Sequence, residues 1–241
     1  MRRASGFGHR FAYGAVRGVN KAACLTAALL ALATASAAQE ITIAALGDSL
    51  TQGYGLPQEQ GFVPQLQDWL QERGHDVTII NAGVSGDTTA GGLSRVGWTL
   101  TPEVDGMIVA LGGNDLLRGI DPGNSRENLR GILQAAADGQ VEVLLVGLPA
   151  PGNYGPEYKA AFDGIYPDLA QTFDTLYAPS FLAGLTDGGE PPSDLGRYLQ
   201  ADGIHPNAEG VVRIVAALGP QVETLIGRIE SEPEEGAKPS P

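Results

Sequence analysis

Ile41-Thr42-Ile43-Ala44-Ala45-Leu46-Gly47-Asp48-Ser49-Leu50 decides the fold. Its first six residues are a short apolar run closed by glycine, the form of a buried strand in a parallel sheet. The pattern returns in Val77–Ile80, which enters Asn81-Ala82-Gly83-Val84-Ser85-Gly86, and in Gly106–Leu111, which exits through Gly112-Gly113-Asn114-Asp115. Val141–Val146 is a fourth run and Thr175–Ala178 a short fifth. Stretches of helical spacing lie between them. Phe62 to Arg73 carries apolar residues at Phe62, Val63, Leu66, Trp69 and Leu70 and stops at Gly74. Asp87-Thr88-Thr89 caps a helix running toward Val96. Ser125 to Ala137 reads as a helix with Ser125 as its N-cap, and Glu157 to Thr172 as one helix in spite of Pro167. Asn207 to Ile229 is a long helix with a bend expected at Pro220. Strands alternating with helices predict one doubly wound α/β domain, with no internal repeat and no linker. Ligands in such sheets sit beyond the C-terminal strand ends, where three glycine-rich loops gather.

One of those loops carries Ser49. A serine hydroxyl is a poor nucleophile near neutral pH until a base takes its proton, and histidine suits that task. Asp202-Gly203-Ile204-His205-Pro206 supplies a histidine with an aspartate three residues before it. A carboxylate so placed can set the imidazole tautomer and stabilise the imidazolium. Acyl transfer also needs donors for the oxyanion. The Ser49 backbone N–H stands at a strand-to-helix turn, Gly86 lets its N–H come close to a substrate, and Asn114 offers a side-chain NH₂.

The 241-residue chain is long enough for a sizeable core, and 43% hydrophobic with 18% charged residues marks it as globular. Residues 1–38 differ in kind. They hold Arg2, Arg3, Arg10, Arg17 and Lys21 with no acidic residue, then an apolar run from Ala22 to Ala33, then Ala35-Ser36-Ala37-Ala38. A basic region, a short apolar region and small residues at the end form a secretory signal peptide, and the run is shorter than the ~20 residues of a spanning helix. An uncleaved anchor is the alternative. Cys24, the only cysteine, lies at the head of the apolar run and not after it, so it is not a lipidation site, and a cleaved chain has no thiol chemistry. Ala4-Ser5-Gly6 after Arg2-Arg3 does not suit a twin-arginine signal. Cleavage leaves 10 of 15 basic residues against 28 acidic ones, a net charge of −18. That surface repels nucleic acid and anionic membranes and implies solubility, with no stable membrane insertion. Glu230 to Pro241 reads as an acidic, Pro-rich disordered tail, which bounds the domain at residues 39–229.

Gly47-Asp48-Ser49-Leu50, Gly86, Gly112-Gly113-Asn114-Asp115 and Asp202-Gly203-Ile204-His205-Pro206 together resemble the four motif blocks of the SGNH (GDSL) hydrolases. The likeness extends through Asn81 to Thr88, Leu111 to Gly119 and Pro149 to Tyr166, segments similar to the bacterial periplasmic thioesterase/arylesterase/lysophospholipase branch. It spans roughly residues 41–225. The resemblance implies a flavodoxin-like three-layer α/β/α sandwich on a five-stranded, mainly parallel sheet. It assigns Ser49 as nucleophile, His205 as base and Asp202 as its orienter, with Ser49 N–H, Gly86 N–H and Asn114 as oxyanion donors and no metal or cofactor. The substrate it implies is a small acyl ester or thioester in the periplasm or outside the cell. Oligomeric state is open. Thr51 stands where the α/β-hydrolase elbow Gly-x-Ser-x-Gly would need its second glycine.

Competing readings attach to each residue. Ser49 can be a helix cap, His205 a solvated histidine and Asp202 a turn former. Asp48 and Asp115 read as loop acceptors for backbone N–H groups. His75 reads as exposed, Arg118 as a surface ion pair or a contact to an acyl or phosphate group, and Trp69 and Trp98 as core. Tyr154 and Leu148 read as acyl-pocket lining or core. A carbohydrate O-acetyl esterase is the alternative function within the class. A nucleotide or flavin binder is disfavoured, because neither a Gly-x-Gly-x-x-Gly nor a Walker pattern follows the first strand. A metal hydrolase is disfavoured by a total of three histidines, one of them in the leader.

Overall fold

A computed structural model describes residues 40–186 and 194–231. The leader, Cys24 and residues 232–241 of the expected tail lie outside the described residues. In chain order the elements are β1 (Ile41–Gly47), α1 (Ser49–Gln52), α2 (Phe62–Gln71), β2 (Val77–Gly83), α3 (Thr89–Thr99), β3 (Gly106–Ala110), α4 (Gly113–Leu117), α5 (Pro122–Asp138), β4 (Glu142–Val146), α6 (Pro156–Asp163), α7 (Ile165–Phe173), β5 (Leu176–Ala178) and α8 (Ala208–Ser231).

The strands form one sheet in the order β2-β1-β3-β4-β5, and all four pairings are parallel. Successive side chains of a strand point to opposite faces, so each central strand feeds two cores. Ile43 and Ala45 of β1 join Ile108 of β3 and Leu144 of β4 on one face, against Phe62, Leu66 and Leu70 of α2 and Ile214, Leu218 and Leu225 of α8. Ala44 and Leu46 join Met107, Val109, Val143 and Leu145 on the other, against Val96, Leu129, Ile132, Leu133 and Leu169 from α3, α5 and α7. Burial on both faces explains why these strands are apolar throughout and do not alternate. The result is the three-layer α/β/α sandwich expected, with the flavodoxin strand order. In that order the chain leaves β1 to one side for β2 and returns to the other for β3. The crevice beyond β1 and β3 is therefore the topological switch point.

Several expectations need correction. Ser125 is not the cap of α5. Asp121 is, accepting from Gly123 N at 2.7 Å with Pro122 in the first helical position. Ser125 lies inside the helix, fully buried, and its hydroxyl donates to Asp115 Oδ1 at 2.8 Å. The span from Glu157 to Thr172 is two helices that part at Gly164, and Pro167 sits in the first turn of α7, where no intrahelical N–H is needed. Pro220 lies within a single 24-residue helix. That helix takes in Glu230 and Ser231, so it runs two residues past the expected boundary. Trp98 is 85% exposed because it falls off the stripe set by Gly92 and Val96. Trp69 does pack against the α2–α8 core.

Candidate active site

β1 ends at Gly47, and α1 begins at once with Ser49. Asp48, not Ser49, caps that turn, accepting from Leu50 N at 3.0 Å. Ser49 is thereby released from the capping role and projects into the crevice. From the far end of the chain, the loop before α8 returns to it. Leu199 and Pro206 form an isolated antiparallel bridge, and Gln200 N donates to His205 O at 2.7 Å. Asn207 secures the loop to α8, accepting from Gly210 N while its amide donates to Arg197 O and Leu199 O.

Within this loop Asp202 uses its two oxygens differently. Oδ1 accepts from Ile204 N at 2.9 Å and His205 N at 3.0 Å, and Oδ2 lies 2.7 Å from His205 Nδ1. One carboxylate both shapes the loop and orients the ring. The hydrogen bond to His205, with the two backbone donors, lowers the Asp202 pKa from 3.8 to about 2, so it is ionised across the working range. His205 Nε2 lies 2.9 Å from Ser49 Oγ, across 156 residues of sequence. The Tyr54 ring rests beside the imidazole at 4.7 Å between centroids.

Gly112 has a φ of +119° at the exit of β3, and a Cβ there would stand 2.2 Å from the Tyr166 hydroxyl. Only glycine suits that position, and the turn delivers Asn114 to the crevice on α4. Asn114 Nδ2 donates one hydrogen to Asp48 Oδ2 at 3.3 Å, which leaves the other to face the cleft. Burial pushes the Asp48 carboxyl up from 3.8 to about 6, against the pull of Leu50 N–H and the Asn114 amide. Gly86 occupies the third corner of a hydrogen-bonded turn, Val84 to Asp87, with a φ of +84°. Ser49, Gly86, Asn114, Asp202 and His205 all line one cleft of about 560 Å³. Its other walls include Leu116, Leu117, Leu148, Tyr154, Leu182 and Ile204.

Residues 45–212 match the GDSL-like Lipase/Acylhydrolase family. The chain belongs to this family. Esterase TesA of Pseudomonas aeruginosa is 39% identical over 200 residues, 83% of this chain and 95% of that protein. The thioesterase 1/protease 1/lysophospholipase L1 of Escherichia coli K12 is 36% identical over 198 residues, 82% of this chain and 90% of that one. Among solved structures, AlinE4, an SGNH-hydrolase family esterase, superposes with a TM-score of 0.63 at 43% identity, covering 77% of this chain and 96% of that chain. The GDSL chain described here is therefore an enzyme, a serine hydrolase of ester bonds.

Other expected residues fall in two groups. Asp48 and Asp115 accept from backbone N–H groups as read, but Asp115 does so from within α4 and not from a loop. Asp115 takes hydrogen bonds from Thr89 N, Thr89 Oγ1 and Ser125 Oγ at 2.6–2.8 Å while fully buried. Among the described residues, Arg118 makes no surface ion pair. Its Nη2 donates to Gly86 O at 2.8 Å. His75 is half-buried and lies 3.1 Å from Glu223 Oε1. The sequence reading passed over Arg95, which donates to Asp87 Oδ2, Ala82 O and Gly47 O and so ties the ends of β1 and β2 together. It also passed over Gln200, whose amide binds Tyr54 O and Pro206 O. The basic residue on α3 was a visible signal, but backbone carbonyl partners leave no trace in sequence.

Proposed function

We propose that this hydrolase works through an acyl-Ser49 intermediate. His205 Nε2 takes the Ser49 proton as Oγ attacks the acyl carbonyl. Asp202 holds the ring with the Nδ1 proton facing Oδ2 and stabilises the imidazolium that forms. The oxyanion is received by Ser49 N–H, Gly86 N–H and the free Asn114 amide hydrogen. His205 then returns the proton to the departing alcohol or thiol, and a water deprotonated by His205 releases the acid. The observation that carries this reading is the 2.9 Å approach of His205 Nε2 to Ser49 Oγ. Ser49→Ala is expected to lower kcat/KM for p-nitrophenyl butyrate by about 10⁴-fold or more, with folding unchanged. A purified variant that keeps near-native activity overturns the assignment.

The walls of the cleft support one substrate class over another. Leu148, Leu182 and Tyr154 favour an acyl chain over a sugar, which supports aryl esters, thioesters and lysophospholipid-type esters above carbohydrate O-acetyl esters. The similarity to proteins named esterase and thioesterase 1/lysophospholipase L1 points the same way. We further propose that residues 1–38 export the chain to the periplasm or beyond, leaving a hydrolase domain that begins at residue 39. N-terminal sequencing of enzyme from the exported fraction is expected to begin within a residue or two of Gln39. An intact Met1 terminus on membrane-bound protein contradicts cleavage.

A further inference from the structure

The Val84–Asp87 turn is anchored at its base but not at its tip. At the base, Val84 N donates to Gly47 O at 3.0 Å, and Arg95 Nε donates to Asp87 Oδ2 at 2.6 Å. Asp87 N closes the turn on Val84 O at 3.1 Å. Gly86 has positive φ and Ser85 does not, so the turn is of type II, with glycine in the position that requires it. Val84 is 44% exposed and makes no apolar anchor for the tip. Among the described residues, one hydrogen bond ties the tip to the rest of the site: Arg118 Nη2 to Gly86 O, 2.8 Å.

Arg118 is also the C-cap residue of α4, and its backbone N donates to Asn114 O at 3.2 Å. Asn114 is the second residue of that five-residue helix. The guanidinium therefore spans from the element that carries one oxyanion donor to the peptide that follows the other. We propose that Arg118 is a positioning residue that fixes the Gly86 N–H relative to the Asn114 amide and so sets the geometry of the oxyanion site. This rests on the oxyanion assignment made above. The planar guanidinium offers a directed N–H to the Gly86 carbonyl, which a lysine ammonium reproduces only in part. Arg118 is itself exposed and does not line the cleft, so its action runs through Gly86 and not through the substrate.

Loss of an oxyanion donor costs about 10²–10³ in kcat, so a donor loosened but still present is expected to cost about tenfold. Arg118→Ala is expected to lower kcat for p-nitrophenyl butyrate by that factor, with KM and Tm close to native. An alkyl boronic acid, which takes a tetrahedral form on the serine, is expected to bind more weakly by a similar factor. Arg118→Lys restores part of both. In an Asn114→Ala background, where the partner donor is gone, the Arg118→Ala loss is expected to shrink to about twofold or less. Native kcat and boronate affinity in Arg118→Ala overturn the proposal. So does a parallel fall of kcat and Tm that lysine fails to repair, because that marks a purely structural role. Ser49→Ala, assayed alongside, separates the two levels: if it stays active the acyl-serine reading itself fails, whereas if it is dead and Arg118→Ala is native only the positioning role fails.

Discussion

Two carboxylates flank the Ser49–His205 pair, and their surroundings push them in opposite directions. Asp202 is solvent-facing and triply hydrogen-bonded, which favours its charged form. Asp48 is buried, and desolvation favours its neutral form. An aspartate with a folded pKa of about 6 against 3.8 supports folding most below about pH 4, and that support is lost as pH rises through 6. The ionised carboxylate then costs about 3 kcal/mol relative to a group without the charge. Asp48→Asn keeps an acceptor for Leu50 N but turns an NH₂ toward the Asn114 NH₂. The variant is expected to gain about 1–3 kcal/mol over native at pH 8 and little at pH 4, by urea unfolding at both values. Its kcat is expected to fall because Asn114 loses its orienting acceptor. A stability change equal at the two pH values contradicts the buried-charge account.

At the scale of elements, the site is built by helices and turns held to one another through a few polar contacts. Asp115 stands at the centre of one such set. It is fully buried on α4 and receives the first N–H and the hydroxyl of Thr89 on α3, and the Ser125 hydroxyl from α5. Removing one partner leaves part of a buried carboxylate unsatisfied. Thr89→Val is expected to lower stability by about 2–3 kcal/mol in denaturant melts, whereas Trp98→Ala, at an exposed site, is expected to change it by about 0.5 kcal/mol or less. Comparable losses in the two variants contradict this picture. The same contacts explain where sequence reasoning stopped. The strands were legible because burial on both faces demands unbroken apolar runs, as in Ile43–Leu46 and Val143–Val146. The cap of α5 was misplaced because Ser125 answers a distant aspartate, although Asp121-Pro122 carried the local start signal. Pro167 was read correctly as tolerable, but the break at Gly164 was missed although Asp163-Gly164 carried a local turn signal.

For the whole molecule, strand order turns local motifs into a site. β1 and β3 lie side by side with parallel register from Ile43–Gly106 to Gly47–Ala110, so Ser49 and Asn114 leave the sheet at one edge. The motif residues in those two loops were visible as chemistry, and their likeness to a family named their partners. The pairing of His205 with Ser49 was suggested by the chemistry each needs and strengthened by that likeness, although no local pattern reports a contact across 156 residues. The supporting contacts of Arg95, Arg118 and Gln200 had no such signature. The central claim is that ester cleavage passes through an acyl group on Ser49, and trapping that species tests it most directly. Enzyme mixed with p-nitrophenyl butyrate, quenched in acid within the first turnovers and mapped by peptide mass spectrometry, should carry a butyryl group on the peptide containing Ser49. An adduct on any other residue, or rapid turnover with Ser49 unmodified at every quench time, would contradict the account.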